Sequence, residues 1–282
     1  MEKLGITTRE DDEAYPCITH STTMVCQMRV MTFNLRFDND RDGRNAWRYR
    51  CDLVIRVILH HTPAILGTQE GTCSQIDYLR DSLPAYALHV LGRVFDDTCQ
   101  YPTLFVRRDT FDITGGEKFW LSETPEVHRS KSWDSAYPRM MSYAILRSTA
   151  TNKILIAAVT HLDHEGLTAR IKQATILAQW RKHQTDPLIL MGDFNDSPDS
   201  QAHQLLTTSE IGLADTWELL DRDEGPAYFT HHGFRGIPQK ARMDWILISS
   251  HFRISDAIIL RDHFDGRYPS DHFPYMVDLE LA

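Results

Sequence analysis

Residues 188–198 read Leu-Ile-Leu-Met-Gly-Asp-Phe-Asn-Asp-Ser-Pro. The apolar run from Leu188 to Met191 has the composition of a buried strand. Gly192 interrupts it, and Asp193 and Asn195 follow at alternate positions, which on an extended chain puts a carboxylate and a carboxamide on one face. Ser197-Pro198 then open a helix. An ordinary strand-to-helix turn uses the same residue types, so this stretch alone supports both readings. Other strand ends carry similar groups: Asn34, Glu70, His161, Asp244, Asp271 and His272. The set is rich in oxygen and lacks cysteine, which favours Mg²⁺ or Mn²⁺ over zinc. Mg²⁺ takes one or two carboxylates and completes its shell with water and substrate phosphate, which suits Glu70 as main ligand. An acid at the end of a buried strand is costly without a positive partner, although Glu70 could also be the N-terminal acid of the next helix. A carboxylate beside a histidine orients the imidazole. Asp271 and His272 are adjacent, point to opposite faces and cannot serve each other, so His272 needs a partner from another strand. Such a set can activate water, neutralise a phosphate and donate to a leaving oxygen, and the chemistry expected is phosphate-ester hydrolysis.

Several elements must position these groups. Residues 27–36 are rich in β formers and predict a first core strand ending at Asn34 and Arg36. In residues 37–47 the spacing of Asp38, Asp40, Asp42 and Gly43 matches the opening of a calcium loop, but the twelfth position is Tyr49, not Glu, so a solvated acidic loop is expected. Structural Ca²⁺ binding by the acids is the other cation role weighed. Leu53, Val54, Val57 and Ile58 have helical spacing within residues 47–61. His60-His61 complement that helix's C-terminal dipole rather than form a ligand pair. A strand over 64–68 and a helix over 75–83 follow. Strands are predicted over 86–91, 103–106 and 110–113, with Asp109-Thr110 turning a hairpin. Residues 120–138 form a long loop of the kind that binds ligands. Strands over 140–146 and 154–159 follow, joined by Thr151-Asn152, and His161 and Asp163 alternate after the second. Residues 165–183 predict the clearest helix, with Leu167, Ile171, Ala174, Leu177, Ala178 and Trp180 as its apolar stripe. After the focal strand come a helix over 200–207, short β-like pieces at 215–216 and 228–231, and strands over 243–248, 252–260 and 273–281. Many β runs with few helices and several hairpin signals indicate two packed, largely antiparallel sheets with helices outside.

The 282 residues carry a net charge of −9 and a pI near 5.8, with 42% hydrophobic and 24% charged residues. That composition is globular, and its acidity argues against a protein that grips duplex DNA through bulk charge. Length alone would allow two domains; the reading is a polar extension over 1–26 and one catalytic domain over 27–282. The five cysteines form no C-x-x-C pair, so free thiols and a reducing, cytoplasmic setting are expected. Residues 1–21 lack the apolar core of a secretory signal, and no run reaches membrane-spanning length. No obligate protein partner is indicated.

The motifs T-F-N-L-R, Q-E-G, T-H-L-D-H, M-G-D-F-N, M-D-W-I-L and S-D-H-F-P occur in that order between Arg29 and Leu281. Together they resemble the endonuclease/exonuclease/phosphatase superfamily, which includes pancreatic-type deoxyribonuclease, abasic-site endonucleases, neutral sphingomyelinases, inositol-polyphosphate phosphatases and deadenylases. The resemblance implies a four-layer α/β/β/α sandwich and a divalent-cation-dependent phosphohydrolase. By motif match it implies Glu70 as metal ligand with Asn34 beside it and Asp271 as a second metal contact. Asp193 is implied to orient or deprotonate the attacking water, and Asn195 to bind phosphoryl oxygens. His272 is implied to contact the scissile phosphate with Asp244 as its partner, and His161 to be a candidate acid for the leaving group. Arg36 stands where abasic-site enzymes carry an acid, which puts a second metal there in doubt. F-W-L-S-E-T-P (residues 119–125) and H-L-D-H resemble a bacterial-type subgroup. Arg139 and Asp163 are candidates for the substrate edge, with a surface salt bridge as the alternative. The expected substrate is a phosphate ester, first a phosphodiester (nucleic acid or a small or lipid-like diester), and alternatively a small sugar or inositol phosphomonoester. Lys118, Trp120, Arg129, Lys131, Trp133 and Arg139 could line either site. A non-catalytic binding module would not need the full set of Glu70, Asp193, Asn195, Asp244 and His272.

Overall fold

The computed structural model describes residues 26–89 and 100–282. Among the described residues twelve strands run in chain order: β1 (Cys26–Asn34), β2 (Ile65–Gln69), β3 (Tyr86–Leu88), β4 (Thr103–Arg107), β5 (Phe111–Trp120), β6 (Met140–Ser148), β7 (Ile154–His161), β8 (Leu188–Asp193), β9 (Leu213–Asp215), β10 (Asp244–Ser249), β11 (Phe252–Ile259) and β12 (Tyr275–Leu281). Four α-helices accompany them: α1 (Cys51–His61), α2 (Cys73–Ser82), α3 (Leu167–Lys182) and α4 (Gln201–Thr207). The strands make two mixed six-stranded sheets, ordered β11-β12-β1-β2-β4-β3 and β5-β6-β7-β8-β10-β9.

Three apolar layers hold these elements. Between the sheets lie Val30, Leu104, Val159, Ile189, Met191, Ile246 and Val277. The opposite-facing Met31, Phe33, Leu66 and Phe105 pack on Val54, Val57 and Ile76 of the first two helices. Likewise Ile156, Leu188, Leu190 and Leu247 pack on Leu177, Ala202 and Leu206 of the last two. Both faces of the central strands are therefore buried, which is why these segments read as continuous apolar runs rather than as alternation. The result is the α/β/β/α sandwich. The sheets approach closely at Gly67, where a Cβ would lie 2.5 Å from Met191 Sδ.

The two parallel pairs place the site. β1 pairs parallel with β2 through a crossover containing α1, and β7 with β8 through one containing α3. In such units the carboxyl ends of the strands collect the chemistry. Asn34 lies opposite Gln69 at the end of one pair, and His161 opposite Asp193 at the end of the other. β10 runs antiparallel to β8 and starts with Asp244 opposite Asp193. β12 runs antiparallel to β1, so the residues just before it, Asp271 and His272, return to the end that bears Asn34.

Some local expectations change. Asp109-Thr110 does not turn a hairpin: β4 and β5 belong to different sheets, and the turn carries the chain from one to the other. β5 continues well past Ile113 to Trp120, accommodating Gly115 through a register shift. The buried face of α3 is Ala169, Gln173, Ala174, Leu177 and Ala178, whereas Leu167 is 58% exposed. The strand expected over 86–91 is described to Leu88, and residues 90–91 lie outside the described residues, as do Cys17 and Cys99. Cys26 and Cys51 are thiols.

Candidate active site

Asn34, almost without exposure at the end of β1, donates through Nδ2 to Glu70 Oε1 at 3.1 Å and to Asp193 Oδ2 at 2.9 Å. One amide group thus clasps two carboxylates that would otherwise repel each other. Its Oδ1 accepts from Arg36 N at 2.9 Å, so in this geometry Asn34 holds the two acids and does not present an oxygen to a cation. Glu70 Oε2 accepts from Phe37 N at 3.1 Å. Asp193 Oδ1 accepts from Asn195 N at 2.9 Å, and Asn195 Nδ2 donates to Leu162 O at 3.0 Å. The same Nδ2 lies 2.8 Å from His161 Nε2, which is 3.5 Å from Asp193 Oδ2.

The partner that His272 lacked in the adjacent residue comes from β10: Asp244 Oδ2 lies 2.8 Å from its Nδ1. His272 Nε2 faces Asp193 Oδ2 at 3.8 Å. Burial works against charge on His272, but Asp244, Asp193 and Asp271 outweigh it and push its pKa up to about 10. Burial, reinforced by Asp244, raises Asp193 to about 7 against the pull of His272 and the Asn34 and Asn195 N–H groups. Burial, with Arg139, His272 and His164, holds His161 well below the ordinary imidazole range, so it is neutral. Asp271 lies 3.9 Å from the Arg36 guanidinium, which also grips Asp42 through two contacts of 3.0 Å. The acid at the fifth position of the supposed calcium loop is thereby spent on an ion pair.

Arg139 and Asp163 are not a surface salt bridge. Both are buried, with Arg139 Nε 3.6 Å from Asp163 Oδ2. Arg139 lines the cavity, whereas Asp163 stands behind it and accepts from Ser135 Oγ, Ala136 N, Tyr137 N, Glu165 N and Gly166 N. Asp163 is therefore not at the substrate edge; it fixes the loop 121–139 to the start of α3.

Two buried arginines carry the scaffold and had no sequence signal beyond their charge. Arg50 donates to Leu35 O at 2.5 Å, Arg36 O at 2.6 Å and Pro269 O at 2.9 Å, which ties the end of β1 to the segment leading into Asp271. Arg242 grips Asp215 and Glu224 just before Met243-Asp244. The cavity, about 710 Å³, is lined by Glu70, Asp193, Asn195, Asp271 and His272, and also by Tyr137, His164, His231 and Lys240, which the sequence did not single out. Only His164 had a signal, as the last residue of the H-L-D-H run.

Ligand atoms of Glu70, His161 and Asp193 lie within 4.8 Å of one another, as do those of Asp193, Asp244 and His272, and those of His231, Asp271 and His272. The first group suits a hard cation, because two carboxylates converge there and no ammonium or guanidinium bonds to either. Asp244 Oδ1 is buried without a partner, a further excess of negative charge at the site. The third group does not suit one: Asp244 keeps His272 charged, and Arg36 already faces Asp271. Asp271 as a second metal contact is therefore disfavoured by the cations around it. No helix of the described residues is long and apolar enough to cross a membrane.

Comparison with known proteins agrees with this architecture. A structure of an endonuclease/exonuclease/phosphatase from Bacteroides vulgatus superposes with a TM-score of 0.83 at 32% identity, covering 91% of this chain and 99% of that one. A mannosyl-6-phosphatase from Bacteroides thetaiotaomicron superposes with a TM-score of 0.81 at 30% identity, covering 89% and 99%. Nocturnin from Xenopus laevis is 23% identical over 301 residues, 90% of this chain and 72% of its own length. The model of the Endonuclease/Exonuclease/phosphatase family matches residues 31–272. The chain belongs to that family, whose members are phosphoester hydrolases that typically use divalent metal ions.

Proposed function

We propose that the protein is a divalent-metal-dependent phosphomonoesterase acting on a small hydroxylated phosphate such as a sugar phosphate. The observation that carries the reading is one cavity of about 710 Å³ in which the Glu70–Asn34–Asp193 cluster faces Arg36, Arg139, Lys240 and His272. A monoester brings one more negative charge than a diester; Lys240 and His272 face it from the cavity wall, while Arg36 and Arg139, paired with Asp42 and Asp163, add positive charge behind them. A polymer would need an open basic groove, and the net charge of −9 offers little bulk attraction for one. The 30% identity to a mannosyl-6-phosphatase across nearly the whole of both chains supports the same class. The sequence reading put a diester first and a small sugar or inositol phosphomonoester second; the cavity and its cations support the second.

In this reading the Asp193 carboxylate accepts a proton from the water that attacks phosphorus. Its pKa near 7 suits a base working near neutrality. Asn195 and the His272 imidazolium donate to the phosphoryl oxygens, and Asp244 keeps His272 charged and oriented. The P–O bond breaks on the side of His161, with its electron pair passing to the alcohol oxygen. Glu70 would hold the metal, with Asp193 beside it; when bound, the metal supplies positive charge to the phosphate and acidity to a bound water. Asn34 keeps both acids in place. No covalent enzyme intermediate is involved.

Hydrolysis of mannose 6-phosphate, p-nitrophenyl phosphate and bis-p-nitrophenyl phosphate, with Mg²⁺, Mn²⁺ or EDTA, tests this. Metal-dependent turnover of the monoesters above the diester is expected. Preference for the diester would overturn the monoester assignment, and full activity in EDTA would overturn the metal assignment.

A further inference from the structure

α1 ends in His60-His61, and the chain returns to this end with Asp262, 201 residues after His61. His61 Nε2 lies 3.0 Å from Asp262 Oδ2, and the His60 ring stands edge-on to the His61 ring with centroids 4.7 Å apart. One ligand atom from each of the three lies within 4.8 Å of the other two. Around a four-coordinate Zn²⁺ with bonds of about 2.0–2.1 Å, neighbouring ligand atoms sit about 3.3 Å apart. His61 and Asp262 already stand near that spacing. The His60 side chain is exposed and makes no hydrogen bond or ion pair among the described residues, so rotation closes the remaining gap.

The surroundings leave this group open to a cation. Asp262 bonds to no arginine or lysine among the described residues. Its neighbour Arg261 donates to Ala227 O, and Arg56, one turn before His60, lies over the Phe264 ring at 3.8 Å. Arg29 donates to His61 O at 2.9 Å, but its charge is met by Asp278, also at 2.9 Å. The C-terminal end of α1 adds the negative end of a helix dipole. A second cluster away from the catalytic cavity, His203, Asp215 and Glu218, differs in this respect, because Arg242 already bonds to Asp215. Two imidazoles and one carboxylate suit a borderline cation such as Zn²⁺, whereas Mg²⁺ prefers oxygen alone.

We infer that His60, His61 and Asp262 form a second divalent-metal site, selective for Zn²⁺ over Mg²⁺, that staples the end of α1 to the connection between β11 and β12. The sequence shows the two histidines only as complements to the helix dipole; Asp262, which no spacing links to them, makes them a ligand set. A hydrogen bond between His61 and Asp262 alone would give His60 no part, and the metal site does. The connection that is stapled, residues 260–274, carries Asp271 and His272. Arg50, just ahead of α1 at its other end, already holds that connection by donating to Pro269 O at 2.9 Å. Zn²⁺ would fix it at a second point, outside the cavity.

Equilibrium dialysis of the intact protein against Zn²⁺ in excess Mg²⁺, followed by metal analysis, counts the Zn²⁺ bound. The Glu70, His161 and Asp193 cluster can take Zn²⁺ as well, so the count is made on wild type, His60→Gln, Asp193→Asn and the double variant. His60→Gln is expected to hold one equivalent fewer than wild type, and the double variant one fewer than Asp193→Asn. Equal counts in either comparison would overturn the site. Asp262→Asn is expected to show the same loss as His60→Gln, and an undiminished count there would overturn the ligand set. His60 is an exposed residue without a hydrogen bond, so His60→Gln leaves the fold intact and the loss reads binding alone. Thermal unfolding tests the staple. Zn²⁺ is expected to raise the Tm of Asp193→Asn, because it binds the folded chain, and to leave the Tm of the double variant unchanged. A rise of equal size in both would overturn the staple.

Discussion

Asp163→Asn removes one charge and reverses half of the hydrogen-bonding sense at a side chain with no exposed surface. The carboxylate accepts from five groups at 2.8–3.2 Å: Ser135 Oγ, Ala136 N and Tyr137 N on one oxygen, Glu165 N and Gly166 N on the other. An asparagine would point an NH₂ at one of those sets. Burial by itself raises the Asp163 pKa, but the N–H groups of Gly166, Ala136 and Tyr137, together with Arg139, outweigh it and hold the carboxyl at about 2. Set against an ordinary value near 3.9, that corresponds to about 2.5 kcal/mol of preference for the ionised form in the folded protein. The variant should therefore lose about 2–4 kcal/mol at pH 7, including the cost of donors left facing donors. Because the folded pKa is depressed, this stability is fully present above about pH 4 and is lost as the pH falls towards 2. Urea denaturation of wild type and variant between pH 7 and pH 3 measures both features. The gap should be widest at pH 7 and narrow towards acid. A variant within about 0.5 kcal/mol of wild type at pH 7, or a gap that widens on acidification, would refute the account of Asp163 as the clasp of loop 121–139.

Other perturbations bear on the catalytic groups. Asp244→Asn should leave the protein folded but lower kcat by about 10²–10⁴-fold, since His272 loses the partner that orients and charges it; near-normal turnover would detach His272 from the reaction. Glu70→Gln should raise the Mg²⁺ concentration needed for half-maximal activity by tenfold or more, and an unchanged metal titration would place the ligand elsewhere. Gly192 has φ of 157°, and a Cβ there would lie 2.2 Å from Thr160 O, so Gly192→Ala must part β8 from β7 directly below Asp193. It should cost about 2–4 kcal/mol in thermal or urea unfolding and reduce activity even in the folded fraction, and a variant as stable as wild type would contradict the close strand approach.

The parts of the site legible in the sequence were those carried by local pattern. Asp193 and Asn195 are marked by their alternation after an apolar strand, and His161 and Glu70 by their place at strand ends. The pairing of His272 with Asp244 was not deducible from spacing, because 28 residues and two strands separate them; only resemblance supplied it. The hairpin assigned to Asp109-Thr110 failed for the same physical reason. Local turn chemistry is identical whether a chain folds back on its neighbour or crosses to another sheet. Arg50 and Arg242 look like any surface arginine in sequence, yet each is almost fully buried because several oxygens converge on it from distant segments. Tyr137, His231 and Lys240 reach the cavity from irregular loops, where no period marks the inward face.

The conformations at the strand ends suggest why the cluster depends on so many hydrogen bonds. Arg36, Glu70 and Asn195 each follow a central strand and each adopt positive φ, at 55°, 62° and 52°. For residues other than glycine such a conformation costs on the order of 1 kcal/mol or more, and it persists only where surroundings over-determine it. Here each is pinned: Arg36 through its N–H to Asn34 and its guanidinium to Asp42, Glu70 by Asn34 and Phe37 N, and Asn195 by Asp193 and Leu162 O. Asn34 takes part in the first two restraints and bonds to Asp193, which anchors the third. Two functional consequences follow from the same amide. It counters repulsion between Glu70 and Asp193, and it holds the backbone turns that aim Glu70 and Asn195 into the cavity. A single uncharged side chain at the end of β1 thus couples the two sheets at the one place where both must present their acids to a common ligand.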